Sequence, residues 1–251
     1  MPNVLEGKVA LITGGSRGLG AVLAVTLADQ GADVAITYAA SAEKAESVVE
    51  MVRAKGVRAL AIQCDQSDTS AAKPTIEQVI SEFGKLDILI NNAAIAVQGK
   101  LVDDPTLDSA AFDRQWMVNV LGTVAITRAA AQKISNGGRI VFIGSGLGTR
   151  AIVPGIADYA GTKAAIAGYA RGVQRDLGPR NITVIVVQPG IMPTDMTGEV
   201  AENFPQAVID MHPIRRIATI EEVAGAVSYL VSPAASYTAG AVIDVSGGVL
   251  V

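Results

Sequence analysis

Cysteine is almost absent from this sequence. Cys64 stands alone in 251 residues and has no partner for an internal disulfide, so the fold must hold itself by packing, as suits a reducing cytoplasm. A basic surplus is missing as well. The formal net charge is −4 and the pI near 5.1, which argues against a nucleic-acid or anionic-membrane partner, since both need concentrated Lys and Arg. Aromatics make up only 4% of the residues. No stretch rich in Pro, Ser or like charge divides the chain, and no basic-then-apolar leader precedes the first strand-like run. One domain over residues 1–251 is the expectation.

One long run without charge exists, over residues 223–243. Pro233 splits it, and Ser228, Ser232, Ser236 and Thr238 lie within it, so it reads as buried core, a helix followed by a strand. Half of the sequence is apolar, with many Ala, Val, Ile and Gly. Such a composition fits buried parallel strands under closely packed helices, an α/β fold.

The first strand-like run, 8–13, leads at once into Gly14-Gly15-Ser16-Arg17-Gly18-Leu19-Gly20 and a helical pattern through Leu23 and Leu27. Glycines let the backbone approach a pyrophosphate while the following helix N-terminus offers free N–H groups. The second strand, 33–38, ends in Tyr38 and is followed by Ala39-Ala40-Ser41, with no acid to take a ribose 2′-hydroxyl. That gap, with Arg17 and Ser41 nearby, favours NADP(H) over NAD(H), because an acid there would repel a 2′-phosphate.

Further strands are expected at 57–62, 85–90, 139–144, 181–187 and 241–245. Residues 41–55 read as an amphipathic helix whose charges, Lys44 among them, face solvent. Asp65 either accepts from an adenine amino group or caps the next helix, as Ser67 or Asp68 would. One long helix is expected over 108–135, with Asn119 inside it as a buried amide or a clamp on water or backbone. Thr219-x-x-Glu222 is a capping-box pattern. Residues 191–213, with Pro193, Pro205 and Pro213, read as a mobile cover.

Acid–base chemistry is suggested by Tyr159 and Lys163. At i and i+4 on a helix they share one face. A phenol with a reference pKa of about 10 releases its proton more readily beside a cation. Ser145, just past the strand at 139–144, could hold a substrate oxygen beside it.

Together these residues resemble the short-chain dehydrogenase/reductase family over nearly the whole chain. The pattern is Thr13-Gly14-x-x-x-Gly18-x-Gly20, Asn91-Asn92-Ala93, Asn119, Ser145, Tyr159-x-x-x-Lys163 and Pro189-Gly190. The resemblance is greatest to the 3-oxoacyl-acyl-carrier-protein reductase-like branch. It implies a doubly wound (Rossmann) fold with a parallel sheet of about seven strands and helices on both faces, in a homotetramer. It also implies Tyr159 as general acid, Lys163 as its activator and a ribose contact, Ser145 orienting the carbonyl, and Asn119 holding a relay water. The cofactor set expected is Gly14, Ser16, Arg17, Gly18, Leu19, Gly20, Tyr38, Ser41, Asp65, Gln66, Asn91, Ala93, Tyr159, Lys163, Pro189, Gly190, Ile191 and Thr194. No metal is expected. Departures from the branch fall on the substrate side: Ala94 and Ser246 replace a usual Gly and Asp, Arg215 and Ala218 replace common glycines, and the Ser145 to Tyr159 gap is one residue longer. The activity expected is NADPH-dependent reduction of a ketone to a secondary alcohol. The alternatives are an NAD-linked alcohol, sugar or steroid dehydrogenase, a 3-oxoacyl-acyl-carrier-protein reductase, and a non-catalytic NADP sensor.

Overall fold

Strands whose apolar residues follow one another without alternation are stable only when both faces are covered. The computed structural model, which describes residues 3–196 and 206–250, meets that condition with seven parallel strands in the order β3-β2-β1-β4-β5-β6-β7. These are β1 Val9–Ile12, β2 Asp33–Tyr38, β3 Ala59–Gln63, β4 Leu86–Asn91, β5 Ile134–Ile143, β6 Thr183–Pro189 and β7 Val242–Val245. Every residue of β1, β4 and β6 is buried.

The helices are α1 Gly18–Ala28, α2 Ala42–Arg53, α3 Ala72–Phe83, α4 Ser109–Trp116, α5 Thr123–Ala131, α6 Ala157–Leu177, a short α7 Gln206–Ile209 and α8 Ile220–Val231. Alternate residues of β1 feed opposite faces. Ala10 and Ile12 pack with Leu23, Leu27, Val48 and Val227 from α1, α2 and α8. Val9 and Leu11 pack with Ile76, Val79, Ile126 and Ile166 from α3, α5 and α6. Each fully buried Leu or Ile in these layers contributes about 1.5–3 kcal/mol.

From β1 the chain winds outward to β3, then crosses back to β4 on the other side of β1. Connections leave in opposite directions there, opening a crevice at the carboxyl ends of β1 and β4. Thr13 and Asn92 fasten its floor: Thr13 Oγ1 accepts from the backbone N–H of Asn92 and of Ala93, each at 3.0 Å, and Asn92 Nδ2 donates to the Thr13 carbonyl at 2.9 Å.

Two expectations need correction. The helix expected over 108–135 is divided: α4 opens into a wider π turn at Met117–Gly122, α5 ends at Ala131, and Ser135 lies in β5. The π turn accommodates the Gln66 backbone, which presses so closely on Gly122 that a Cβ there would lie 1.8 Å from the Gln66 carbonyl oxygen. Strand β5 begins earlier than its apolar run. Ile134 pairs with Leu86, Asn136-Gly137-Gly138 bulges, and the continuous ladder resumes at Arg139 opposite Ile88. The run at 223–243 divides at Pro233 as expected, and among the described residues no helix is long and apolar enough to cross a membrane. The capping box forms, with Thr219 Oγ1 accepting from Glu222 N at 3.2 Å and Glu222 accepting from Thr219 N at 2.9 Å.

Because backbone rather than a flexible side chain opposes Gly122, relaxation there is limited. Gly122→Ala should lower unfolding stability by about 3 kcal/mol or more, the upper range for overpacking. Urea denaturation measures it, and a loss under 1 kcal/mol would count against the close approach.

Candidate active site

Strand β5 ends at Ile143, and Gly144 carries the chain to Ser145, whose extended backbone sets its hydroxyl at the rim of the crevice. Helix α6 begins at Ala157, so Tyr159 stands in its first turn and Lys163 one turn further, as the i,i+4 spacing predicts. Both are buried, at 8% and 5% exposure. The Ser145 hydroxyl lies near enough to the Tyr159 phenol to favour its ionised form, and Ser145 Oγ accepts from Leu147 N at 3.2 Å. The Lys163 ammonium donates to the Ile143 carbonyl at 2.9 Å and lies 5.7 Å from the Tyr159 ring centroid. Serine, tyrosine and lysine therefore meet at the end of one strand.

Their electrostatics differ from the simple expectation. Burial pushes the Tyr159 phenol above its ordinary value, and only the Ser145 hydroxyl pulls it down. Burial also lowers Lys163, to about 8. Lys163 is thus still mostly protonated at pH 7, and the cation beside the phenol persists although its hydrogen bond goes to the strand.

Asn119 sits in the π turn as a backbone clamp. Its Oδ1 accepts from Ile95 N at 2.9 Å, and its Nδ2 donates to Ile95 O at 2.9 Å and Thr162 Oγ1 at 3.2 Å. Thr162 Oγ1 in turn donates to the Tyr159 carbonyl at 2.8 Å. Gln66 braces the same turn from outside, donating to Ala93 O, Val118 O and Thr123 Oγ1 at 3.1 to 3.2 Å. Trp116 adds a third tie, with Nε1 donating to Asp158 Oδ1 at 2.8 Å.

Several expected contact residues are engaged with the protein itself. The Asn91 side chain is tied to α5, with Nδ2 donating to Thr127 Oγ1 at 3.1 Å. Asp65 caps no helix; Asp68 performs that task, accepting from Ser70 N at 2.9 Å. Asp65 instead accepts from Ser67 N at 2.9 Å and Arg114 at 3.1 Å, and these bonds hold its carboxyl below the usual range. Arg17 is exposed and paired with Asp195 at 3.2 Å. Thr194 lies over Gly18, and Pro189 and Gly190 close β6 beside Ser246. The expected cover runs through 197–205, which lie outside the described residues.

The glycine loop fits an anionic group. Helix α1 starts without a side-chain cap and without an acid in its first turn, leaving N–H groups at the crevice. Gly20 allows no side chain, since a Cβ would lie 2.3 Å from the Gly14 carbonyl oxygen. A pyrophosphate suits such an end. Among the described residues no cluster could hold a metal ion.

The stretches around Val97, after Ser145 and at the C-terminal end are tied together by contacts of their own. Gln115 Oε1 accepts from Val97 N at 2.5 Å, Gly99 N donates to Gly155 O at 2.9 Å, and the Leu250 side chain packs on Gly146. Gln115 and Leu250 carry no sequence motif, and their roles emerge only from the packing.

A family model described as enoyl-(acyl carrier protein) reductase matches residues 14–250. The chain is 38% identical to versicolorin reductase 1 of Aspergillus parasiticus, over 97% of each sequence. It is 37% identical to the 3-oxoacyl-acyl-carrier-protein reductase FabG of Staphylococcus aureus, over 96% of this chain and 97% of that one. Among solved structures it is similar to a short-chain dehydrogenase from Burkholderia cenocepacia in complex with NADP, with a TM-score of 0.91, 44% identity, and coverage of 98% and 99% of the two chains.

The depressed Lys163 pKa has a testable consequence. Between about pH 8 and 10.5 the unfolded chain binds more protons than the fold does at this residue, so its penalty on stability shrinks as pH rises. Relative to Lys163→Met, the wild type should gain up to about 1.4 kcal/mol per pH unit across that window. Urea unfolding of both proteins at pH 7.5 and 10 measures it; a pH-independent difference would contradict the buried cation.

Proposed function

The chain belongs to the short-chain dehydrogenase/reductase family of oxidoreductases, and from that premise we propose that it reduces a ketone to a secondary alcohol with NADPH. The observation that carries this reading is the meeting of half-buried Ser145 with buried Tyr159 and Lys163 at the mouth of a crevice beside a glycine loop.

When bound, the nicotinamide supplies the hydride that reaches the carbonyl carbon. The Ser145 hydroxyl donates to the substrate oxygen and fixes it beside Tyr159. The Tyr159 phenol then passes its proton to that oxygen as negative charge grows there, so a phenol kept protonated by burial is suited to the acid role. Lys163 stays charged through neutrality, stabilises the phenolate that remains, and offers its two other N–H donors to a ribose. Asn119 and Thr162 set the position of the first turn of α6 by way of the Tyr159 carbonyl. In the reverse direction the same groups accept the proton from an alcohol.

Gly14, Ser16, Gly18, Leu19 and Gly20 would hold the pyrophosphate at the start of α1, with Ala93, Pro189, Gly190, Ile191 and Thr194 lining the rest of the nucleotide. Arg17 and Ser41 would read the 2′-phosphate, since no acid follows β2. Support comes from the relatives: two carry the names of reductases, and the Burkholderia structure holds NADP.

Loss of NADPH absorbance across a panel of acetoacetyl esters, cyclic and aryl ketones and diketones tests the reaction. Tyr159→Phe should bind NADPH within about twofold of wild type and lose at least about a thousandfold in kcat, as removal of a general acid implies. Turnover within tenfold of wild type would overturn the assignment. Arg17→Ala should weaken NADPH about tenfold and NADH little, as loss of a charge-assisted phosphate contact implies, read by fluorescence titration.

A further inference from the structure

Two cations at the starts of neighbouring helices converge on one carboxylate beside the expected nucleotide crevice. Arg17 immediately precedes α1, the helix that follows β1, and Lys44 lies in the first turn of α2, the helix that follows β2. Arg17 Nη1 is 3.2 Å and Lys44 Nζ 4.0 Å from the same oxygen, Oδ2 of Asp195. Asp195 reaches them from the segment after β6, 178 positions beyond Arg17, where Thr194 overlies Gly18.

We propose that Asp195 is a resident anion standing in for the 2′-phosphate, and that Lys44 together with Arg17 reads that phosphate once Asp195 is displaced. The inference rests on the NADPH reading above and adds two specificity residues to it. A 2′-phosphate carries up to two negative charges and three acceptor oxygens, so it competes with a single carboxylate for both cations. The 2′-hydroxyl of NADH carries no charge and leaves the Asp195 pairs intact. Asp195 therefore weakens binding of the phosphorylated cofactor only, and cofactor binding frees residue 195 from the glycine loop. The sequence reading assigned Lys44 to a solvated face, because its partner is remote in the chain.

All three side chains are more than half exposed, so screened pairs set a modest magnitude. Asp195→Asn should tighten NADPH about three- to fivefold and leave NADH unchanged, while Lys44→Ala should weaken NADPH by a similar factor and spare NADH. Fluorescence titration of NADPH and NADH against wild type, D195N, K44A, R17A and the R17A/D195N double variant provides the test. In the R17A background the gain from D195N should shrink, because the competitor acts through that cation. If wild type prefers NADPH and R17A abolishes the preference, yet D195N changes nothing or its gain persists undiminished without Arg17, the proposal falls alone. Equal binding of NADPH and NADH by wild type would overturn the cofactor reading and the proposal with it.

Discussion

A lysine ammonium sealed against the last carbonyl of a central strand is the constraint on which the rest of this site depends. Lys163 is buried, and its bond to Ile143 fastens α6 to the end of β5. Ser145 follows that strand by two residues, and Tyr159 precedes Lys163 by one helical turn. One contact therefore sets the separation of all three side chains. Burying a cation with a single neutral acceptor costs stability, which is visible in the fall of its pKa to about 8. The fold tolerates that cost because both flanking layers are closely packed around the strand.

A second support holds the other side of the helix. The π turn at Met117–Gly122 widens the backbone just where Asn119 must reach both Ile95 and Thr162. A regular helix would leave less room for the Gln66 backbone against Gly122. Gln66 takes up the Val118 carbonyl, so the polar cost of the widened turn is offset from outside. Asn119 and Gln66 thus act through Tyr159 and the crevice floor.

Elements with continuous apolar runs were legible in the sequence. All seven strands fall within about two residues of their expected places except β5, whose early Ile134 pair sits behind a glycine bulge that breaks the pattern. The division of the helix at 117–122 was not legible, because the backbone packed against it, at Gln66, lies some fifty residues away. The spacing of Tyr159 and Lys163 predicted their shared face, but not that the ammonium bonds to Ile143. Asp65 and Asn91 enter the expected cofactor set through the family resemblance, while the structure engages both side chains with the protein. Their partners, Arg114 and Thr127, come from helices that no local pattern ties to them.

The two halves of the crevice differ in how they are built. The nucleotide side follows from one strand, one glycine turn and one helix start, so a few neighbouring residues define it. The opposite side is joined from separate stretches by backbone contacts, Gly99 to Gly155 and Ile214 to Gly247, with Leu250 resting on Gly146. The stretch after Ser145 also touches α6, since a Cβ on Gly148 would lie 2.9 Å from the Lys163 backbone. The departures at Ala94, Arg215, Ala218 and Ser246 fall in or beside those stretches, away from the glycine turn.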